Sequence, residues 1–138
     1  RALELMIDRG KQRIAFGKPL GGHGMAQEAI ARSRCEIEQA RLLTLNAAAK
    51  LDVLGIKGAK DEIGMIKIIA PQMACTVIDR AIQVHGGAGV SDDFPLARMY
   101  GWHRAMRIFD GPDEVHLRSI ARAELNRTPV LPAGSVVV

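Results

Sequence analysis

Apolar positions along this chain recur every three to four residues, the spacing of one face of an α-helix. Leu3, Met6 and Ile7 form such a stripe, with Glu4, Asp8, Arg9 and Lys11 on the other side. This predicts a helix from the first residue to about Phe16-Gly17, followed by a loop at residues 18–22. A pattern that opens in mid-helix is expected of a piece of a longer protein. A second helix is predicted over residues 25–54, with Ile30, Cys35, Ile37, Leu42, Leu45, Ala49 and Leu54 as its stripe, until residues 55–58 break it. A third covers residues 59–85 through Ile63, Ile66, Ile69, Met73, Val77, Ala81 and Val84. Pro71 inside it is expected to kink or divide the helix, because proline lacks a backbone donor. The run Gly86-Gly87-Ala88-Gly89 ends the pattern, Pro95 starts a short helix to about Arg107, and a last helix is expected over residues 113–126. The final residues, 128–138, are expected to form an extended or poorly ordered tail. No strand-like alternation and no repeat is present. The elements predict an all-α, up-and-down helical bundle, one domain over residues 1–127 with the tail beyond it.

Composition changes this picture little. Of the 138 residues, 48% are apolar and only 4% aromatic, so small and aliphatic side chains must fill the core, a mixture that favours helices. A chain of this size needs neither disulfide nor metal to hold a core. No apolar run approaches the ~18 residues of a membrane span, and nothing at the start has the shape of a secretion signal. An intracellular protein is expected. Cys35 and Cys75 share no motif and read as small core residues, and His23, His85, His103 and His116 lack metal-ligand spacing. The net charge of +4 permits an anionic partner, but the basic residues are dispersed, so binding to nucleic acid is not expected.

Three local patterns can bear chemistry, each beside a plainer alternative. Arg13-Ile14-Ala15-Phe16-Gly17 places a guanidinium one turn before a helix end, next to a ring. It is either a phosphate-binding Arg with a stacking aromatic, or a solvated Arg and a core Phe. Gln83-Val84-His85-Gly86-Gly87-Ala88-Gly89 lets a backbone approach a ligand, or simply caps a helix; with a helix before the glycines it is no dinucleotide fingerprint. Asp110-Gly111-Pro112-Asp113-Glu114 is a helix start, with Asp110 or Gly111 capping and acidic residues at its positive end, or a loop that presents a carboxylate as a general base. A cap residue can also face a pocket.

In this order, and with Phe94-Pro95 between the last two, the three patterns resemble the C-terminal domain of acyl-CoA dehydrogenases over residues 1–125. The run Asp110 to His116 is most similar to a subgroup sometimes fused to a phosphotransferase-like domain. The resemblance implies FAD-dependent oxidation of the Cα–Cβ bond of an acyl-CoA thioester. It places Asp110, where most members have Glu, as the base that removes the α-proton. It implies that the Asp110 N–H holds the thioester carbonyl and that Gly111 passes close to the substrate. Arg13 corresponds to an FAD pyrophosphate contact reaching a neighbouring subunit, with Phe16 beside it. Gln83, Val84, His85, Gly86 and Gly87 correspond to the stretch around the FAD adenosine, and Pro112, Asp113 and Glu114 to a flavin-contacting segment.

The same resemblance implies a homo-oligomer formed through the bundle, an electron-transfer flavoprotein as acceptor, and a bacterial cytoplasm or a mitochondrial or peroxisomal matrix as the compartment. There are departures. Gly24 stands where the family has a Gln, Gly101-Trp102 replaces an Arg-Asp pair, and Pro112 replaces a Thr. The family's N-terminal and middle domains do not fit in this chain, so the isolated chain is expected to be inactive. The alternative from a different class is a non-catalytic helical module for oligomerisation or interaction.

Overall fold

The computed structural model describes residues 1–126, and the expected tail lies outside them. Five helices carry the fold: α1 (Ala2–Gln12), α2 (Gly24–Gly58), α3 (Lys60–His85), α4 (Leu96–Ala105) and α5 (Asp113–Leu125). The all-α expectation holds apart from one small hairpin, β1 (Ile14–Ala15) paired antiparallel with β2 (Lys18–Pro19). That hairpin corrects the predicted end of the first helix. Arg13 already turns to extended backbone (φ −80°, ψ 119°), so it follows the helix rather than preceding its end by a turn. Phe16 and Gly17 then take φ of 52° and 80°. Two consecutive positive-φ residues are the twist that closes a two-residue hairpin.

α3 is the central helix. Lys50 on α2 pairs with Glu62 on α3, and Glu36 on α2 with Arg80 on α3, so the two helices run antiparallel. α2 buries Ala26, Ser33, Ala40 and Ala47, seven residues apart, on the face where Ser33 accepts from Arg80 of α3. Small residues at a heptad spacing let two helices approach closely. Of the residues assigned to the α2 stripe, Ile30 and Ile37 pack against the core, whereas Leu42, Leu45 and Leu54 are exposed, and so is Cys35. On α3 the buried face includes Gly64, Ile68, Pro71, Cys75, Ile78 and His85, and Ile69 of the predicted stripe lies outside it. Pro71 does not divide the helix, which continues from Lys60 to His85. Gly55 (φ 69°, ψ −179°) breaks α2 one residue after its predicted end.

The main core gathers Ala2, Leu3 and Met6 of α1, Val77, Ile78 and Ala81 of α3, and Leu96 of α4. The last pass of the bundle runs against α3 and is split. His85 of α3 packs edge-on against Phe94, 4.5 Å between centroids, just before α4 begins. Lys67 of α3 meets the end of α4 at Met106, and Gly64 lies beside His116 and Ile120 of α5. α4 and α5 thus form one pass down α3, interrupted at residues 106–112, and Asp110 sits in that interruption.

Candidate functional site

The interruption has an unusual backbone. Asp110 adopts φ 53° and Gly111 φ 93°. The left-handed region costs most residues about 1–2 kcal/mol, glycine almost nothing, and Asp less than most, so both residues suit the turn made here. A Cβ on Gly111 would also lie 2.8 Å from His116 Nε2. The surroundings are cationic. Lys67 Nζ donates to the carbonyls of Met106 at 2.6 Å, Phe109 at 3.0 Å and Gly111 at 3.3 Å. Arg107 Nε donates to Asp113 Oδ2 at 2.8 Å, Gln72 Nε2 reaches the same oxygen at 3.2 Å, and the Asp113 N–H closes onto the Arg107 carbonyl at 3.2 Å. Asp110 itself is exposed, and its N–H enters no backbone hydrogen bond among the described residues.

Asp113 anchors the far side of the loop. Burial alone would raise its carboxyl; the hydrogen bonds from Arg107 and Gln72 and the charges of Arg107 and Lys67 outweigh that and hold it below the ordinary carboxylate value. Its other oxygen is buried and unpaired. Arg107 also walls a cleft of about 380 Å³ with Gln72, Cys75, Thr76, Asp79 and Tyr100. Burial pushes the Cys75 thiol up, against the smaller opposing effect of Arg107 and Arg104, so this buried cysteine behaves as the core residue the sequence suggested.

A second region lies at the other end of α3. Phe16, Leu20, His23, Met25, Gln83 and Val84 help line a mainly apolar groove of about 340 Å³. Two of the three sequence patterns therefore converge, although 67 residues separate Phe16 from Gln83. His23 Nε2 donates to the Ala15 carbonyl at 3.0 Å and sets its ring edge toward Phe16, 6.1 Å between centroids. Phe16 is 94% exposed, which corrects its alternative assignment as a core residue. Arg80 at the groove is spent on a bidentate pair with Glu36, at 2.6 and 2.8 Å. That hydrogen bond, outweighing burial, lowers the Glu36 carboxyl.

The remaining sequence candidates divide clearly. Arg13 is exposed on the hairpin beside the groove but is not one of its walls. His85 is 4% exposed and donates from Nδ1 to the Ala81 carbonyl at 2.7 Å, the geometry of a satisfied core histidine. Gly86 (φ 64°) and Gly87 are exposed at the end of α3, and the Gly86 N–H caps the helix on Gln83 and Ile82 carbonyls. Asp110 lines neither the groove nor the cleft. Sixteen residues of helix, about 24 Å at 1.5 Å per residue, separate Lys67 at the Asp110 loop from Gln83 at the groove. Sequence reasoning missed Lys67, Gln72, Arg107 and His23. Lys67 had a visible signal, a lone cation in the run Ile66-Lys67-Ile68-Ile69. Gln72 and Arg107 had none, because their partner is far along the chain or across a turn. Among the described residues no group of three or more His, Cys, Asp or Glu side chains could hold a metal, and no helix is long and apolar enough to cross a membrane.

Comparison with known proteins adds to this geometry. Residues 1–125 match the family model for the acyl-CoA dehydrogenase C-terminal domain. The chain is 68% identical over 136 residues to the probable acyl-CoA dehydrogenase FadE2 of Mycobacterium tuberculosis, covering 99% of this chain and 33% of that protein. A solved Mycobacterium abscessus chain, described as a candidate acyl-CoA dehydrogenase, superimposes with a TM-score of 0.88 at 54% identity, over 90% of this chain and 30% of that one. The FAD complex of PigA superimposes with a TM-score of 0.85 at 30% identity, over 93% of this chain and 33% of that one. This chain thus spans about a third of the length of each of these relatives.

Proposed function

The chain belongs to the acyl-CoA dehydrogenase family, as its C-terminal helical domain, and we propose that it supplies the catalytic carboxylate of an FAD-dependent acyl-CoA oxidation. The domain proposed runs over residues 1–127. In this role Asp110 removes the α-proton of the thioester. The electron pair left on the α-carbon spreads onto the thioester oxygen, and the Asp110 N–H donates to that oxygen, lowering the cost of the charge. Gly111, with no side chain, leaves room for the acyl group. FAD, when bound, is the acceptor of the β-hydride.

The observation that supports this best is the loop itself. Asp110 is exposed in a left-handed conformation, in a loop that two cations anchor, and among the described residues its N–H enters no backbone hydrogen bond. A helix cap needs none of this: the α5 N-terminus has Pro112 at its cap position and no side-chain cap bond.

The second region suits the nucleotide end of the cofactor. An exposed Phe16 ring over an apolar groove fits a planar heterocycle, the Gln83 amide can read its polar edge, and Arg13 offers an exposed cation for pyrophosphate. Val84, Gly86 and Gly87 supply backbone and a low wall there. His85 supports that wall from within the core rather than touching a ligand. Pro112 and Glu114 flank the Asp110 loop on the side proposed to meet the flavin, and Asp113 holds that segment in place from beneath. The groove and the loop lie at opposite ends of α3, which favours their serving two cofactor sites in a homo-oligomer. Exposed apolar residues on α2, among them Leu42, Val53, Leu54 and Ile56, offer a surface for such pairing. An electron-transfer flavoprotein as acceptor and a soluble compartment complete the proposal.

The test is anaerobic mixing of the full-length flavoprotein with acyl-CoA. Asp110→Asn keeps the size and the tolerance of left-handed backbone but removes the base, and should slow flavin reduction at least ~100-fold with FAD content intact. Asp110→Glu, one bond longer by about 1.5 Å, should retain measurable reduction. A wild-type rate in Asp110→Asn would leave Asp110 as a loop residue only.

A further inference from the structure

Lys67 is not among the residues so far given a chemical role, yet it touches the catalytic loop at three points. Its ammonium carries three N–H donors, and they meet the three carbonyls of Met106, Phe109 and Gly111. The same nitrogen stands 5.9 Å from the centre of the Phe109 ring. The Phe109 carbonyl and the Asp110 N–H belong to one peptide unit. The described chain has no cis peptide bond, and in a trans unit the C=O and N–H point in opposite directions. Holding the oxygen on α3 therefore turns the Asp110 N–H away from α3, and among the described residues no backbone acceptor meets it.

We propose that Lys67 is a positioning residue that orients and polarises the Phe109–Asp110 peptide, so that its N–H stabilises the enolate oxygen formed when the α-proton leaves. This role rests on the assignment of that N–H to the thioester carbonyl. The step balances within the site. The α C–H bond breaks, its proton passes to the base, and its electron pair moves through the α-carbon onto the carbonyl oxygen. A cation at the oxygen end of a peptide draws electron density from the unit and strengthens its N–H as a donor. It also opposes rotation of a peptide whose neighbours, Asp110 and Gly111, both occupy the left-handed region. Arg107 is committed to Asp113, which leaves Lys67 as the cation found on the Phe109 carbonyl among the described residues.

The full-length flavoprotein provides the test, with Lys67→Met, Lys67→Arg and Asp110→Asn compared side by side. Lys67→Met should lower the limiting rate of flavin reduction at saturating acyl-CoA by at least about tenfold, with FAD content and acyl-CoA affinity unchanged. A bound 3-thiaacyl-CoA, which reports loss of its α-proton through a long-wavelength charge-transfer band, should titrate about one pH unit higher in Lys67→Met. Lys67→Arg, which keeps the cation, should recover most of both. An analogue that titrates in Lys67→Met as in wild type overturns the role. If Lys67→Met loses FAD, Lys67→Gln keeps a donor without the charge: the same upward displacement is expected, and its absence overturns the role. The two claims separate cleanly. An inactive Asp110→Asn beside a wild-type Lys67→Met would remove the positioning role and leave the base. An active Asp110→Asn beside a displaced Lys67→Met titration would remove the base and keep the positioning role.

Discussion

Replacing Arg107 with Met strands the Asp113 carboxylate, and the consequences can be worked from the structure. Asp113 Oδ2 would lose its 2.8 Å bond to Arg107 and keep only the 3.2 Å bond from neutral Gln72, while Oδ1 stays buried without a partner. Breaking an enclosed ion pair costs about 3–5 kcal/mol, and an exposed pair contributes about 0.2–1 kcal/mol. The Asp113 side chain is 8% exposed and that of Arg107 33%, so this pair falls between the two limits, at about 2 kcal/mol. With a urea slope of about 2 kcal/mol per molar, the unfolding midpoint of the chain should fall by about 1 M at neutral pH and fixed protein concentration. The pH dependence has a definite sign. The folded Asp113 carboxyl is held below its ordinary value, so its pairing stabilises the wild type above the unfolded value of about 3.9. That contribution is lost as pH falls through the lower, folded value. Without Arg107, burial is opposed only by the Gln72 hydrogen bond and the Lys67 charge, so the variant's carboxyl lies above that of the wild type and protonation relieves the variant first. The difference between the two proteins should therefore shrink from neutral pH toward about pH 4. The double variant Arg107→Met/Asp113→Asn, with no buried charge, should recover more than half of the loss. A midpoint unchanged at neutral pH, or a difference constant across this range, would refute the reasoning.

Gly111→Ala must place a side chain at φ 93° and 2.8 Å from His116 Nε2, and should cost at least about 1–2 kcal/mol in the same urea assay. In the full-length protein it should also slow flavin reduction about tenfold or more through a displaced loop, and an unaffected rate would separate loop geometry from catalysis. Arg13→Ala removes an exposed cation and should weaken FAD about tenfold, the equivalent of one charge-assisted hydrogen bond, as measured by equilibrium dialysis; unchanged affinity would make Arg13 a solvated hairpin residue. Sedimentation of the chain at tens of micromolar should show self-association through the exposed α2 surface, whereas monomer alone would count against pairing through this bundle.

Helix periodicity made the architecture legible, because caps and breaks such as Gly55, Gly86 and Pro112 stand where the backbone does change direction. On α2 it found Ile30 and Ile37 but missed the fully buried Ala and Ser positions and counted outward leucines as core, since apolarity alone does not distinguish a covered surface from one left uncovered in a single chain. The early end of α1 was hidden for a different reason: Ile14 continues an apolar pattern, and only the positive φ of Phe16 and Gly17 reveals the hairpin. The Asp110 loop could be located from its glycine and proline, but not its anchoring. Lys67 lies 43 residues before Asp110, and Gln72 lies 41 before Asp113. Such pairings are set by how α3 packs against the split pass, which no local pattern encodes.

The central claim is that Asp110 and its N–H meet the reacting thioester, and a crystal structure of the full-length FAD-loaded protein with a bound acyl-CoA analogue measures it directly. The account predicts an Asp110 carboxylate oxygen within about 3.2 Å of the α-carbon and the Asp110 N–H within hydrogen-bond distance of the thioester oxygen, while Lys67 still holds the Phe109 carbonyl. A thioester bound away from the residue 106–112 loop, or an Asp110 carboxylate turned to solvent with another carboxylate at the α-carbon, would contradict it.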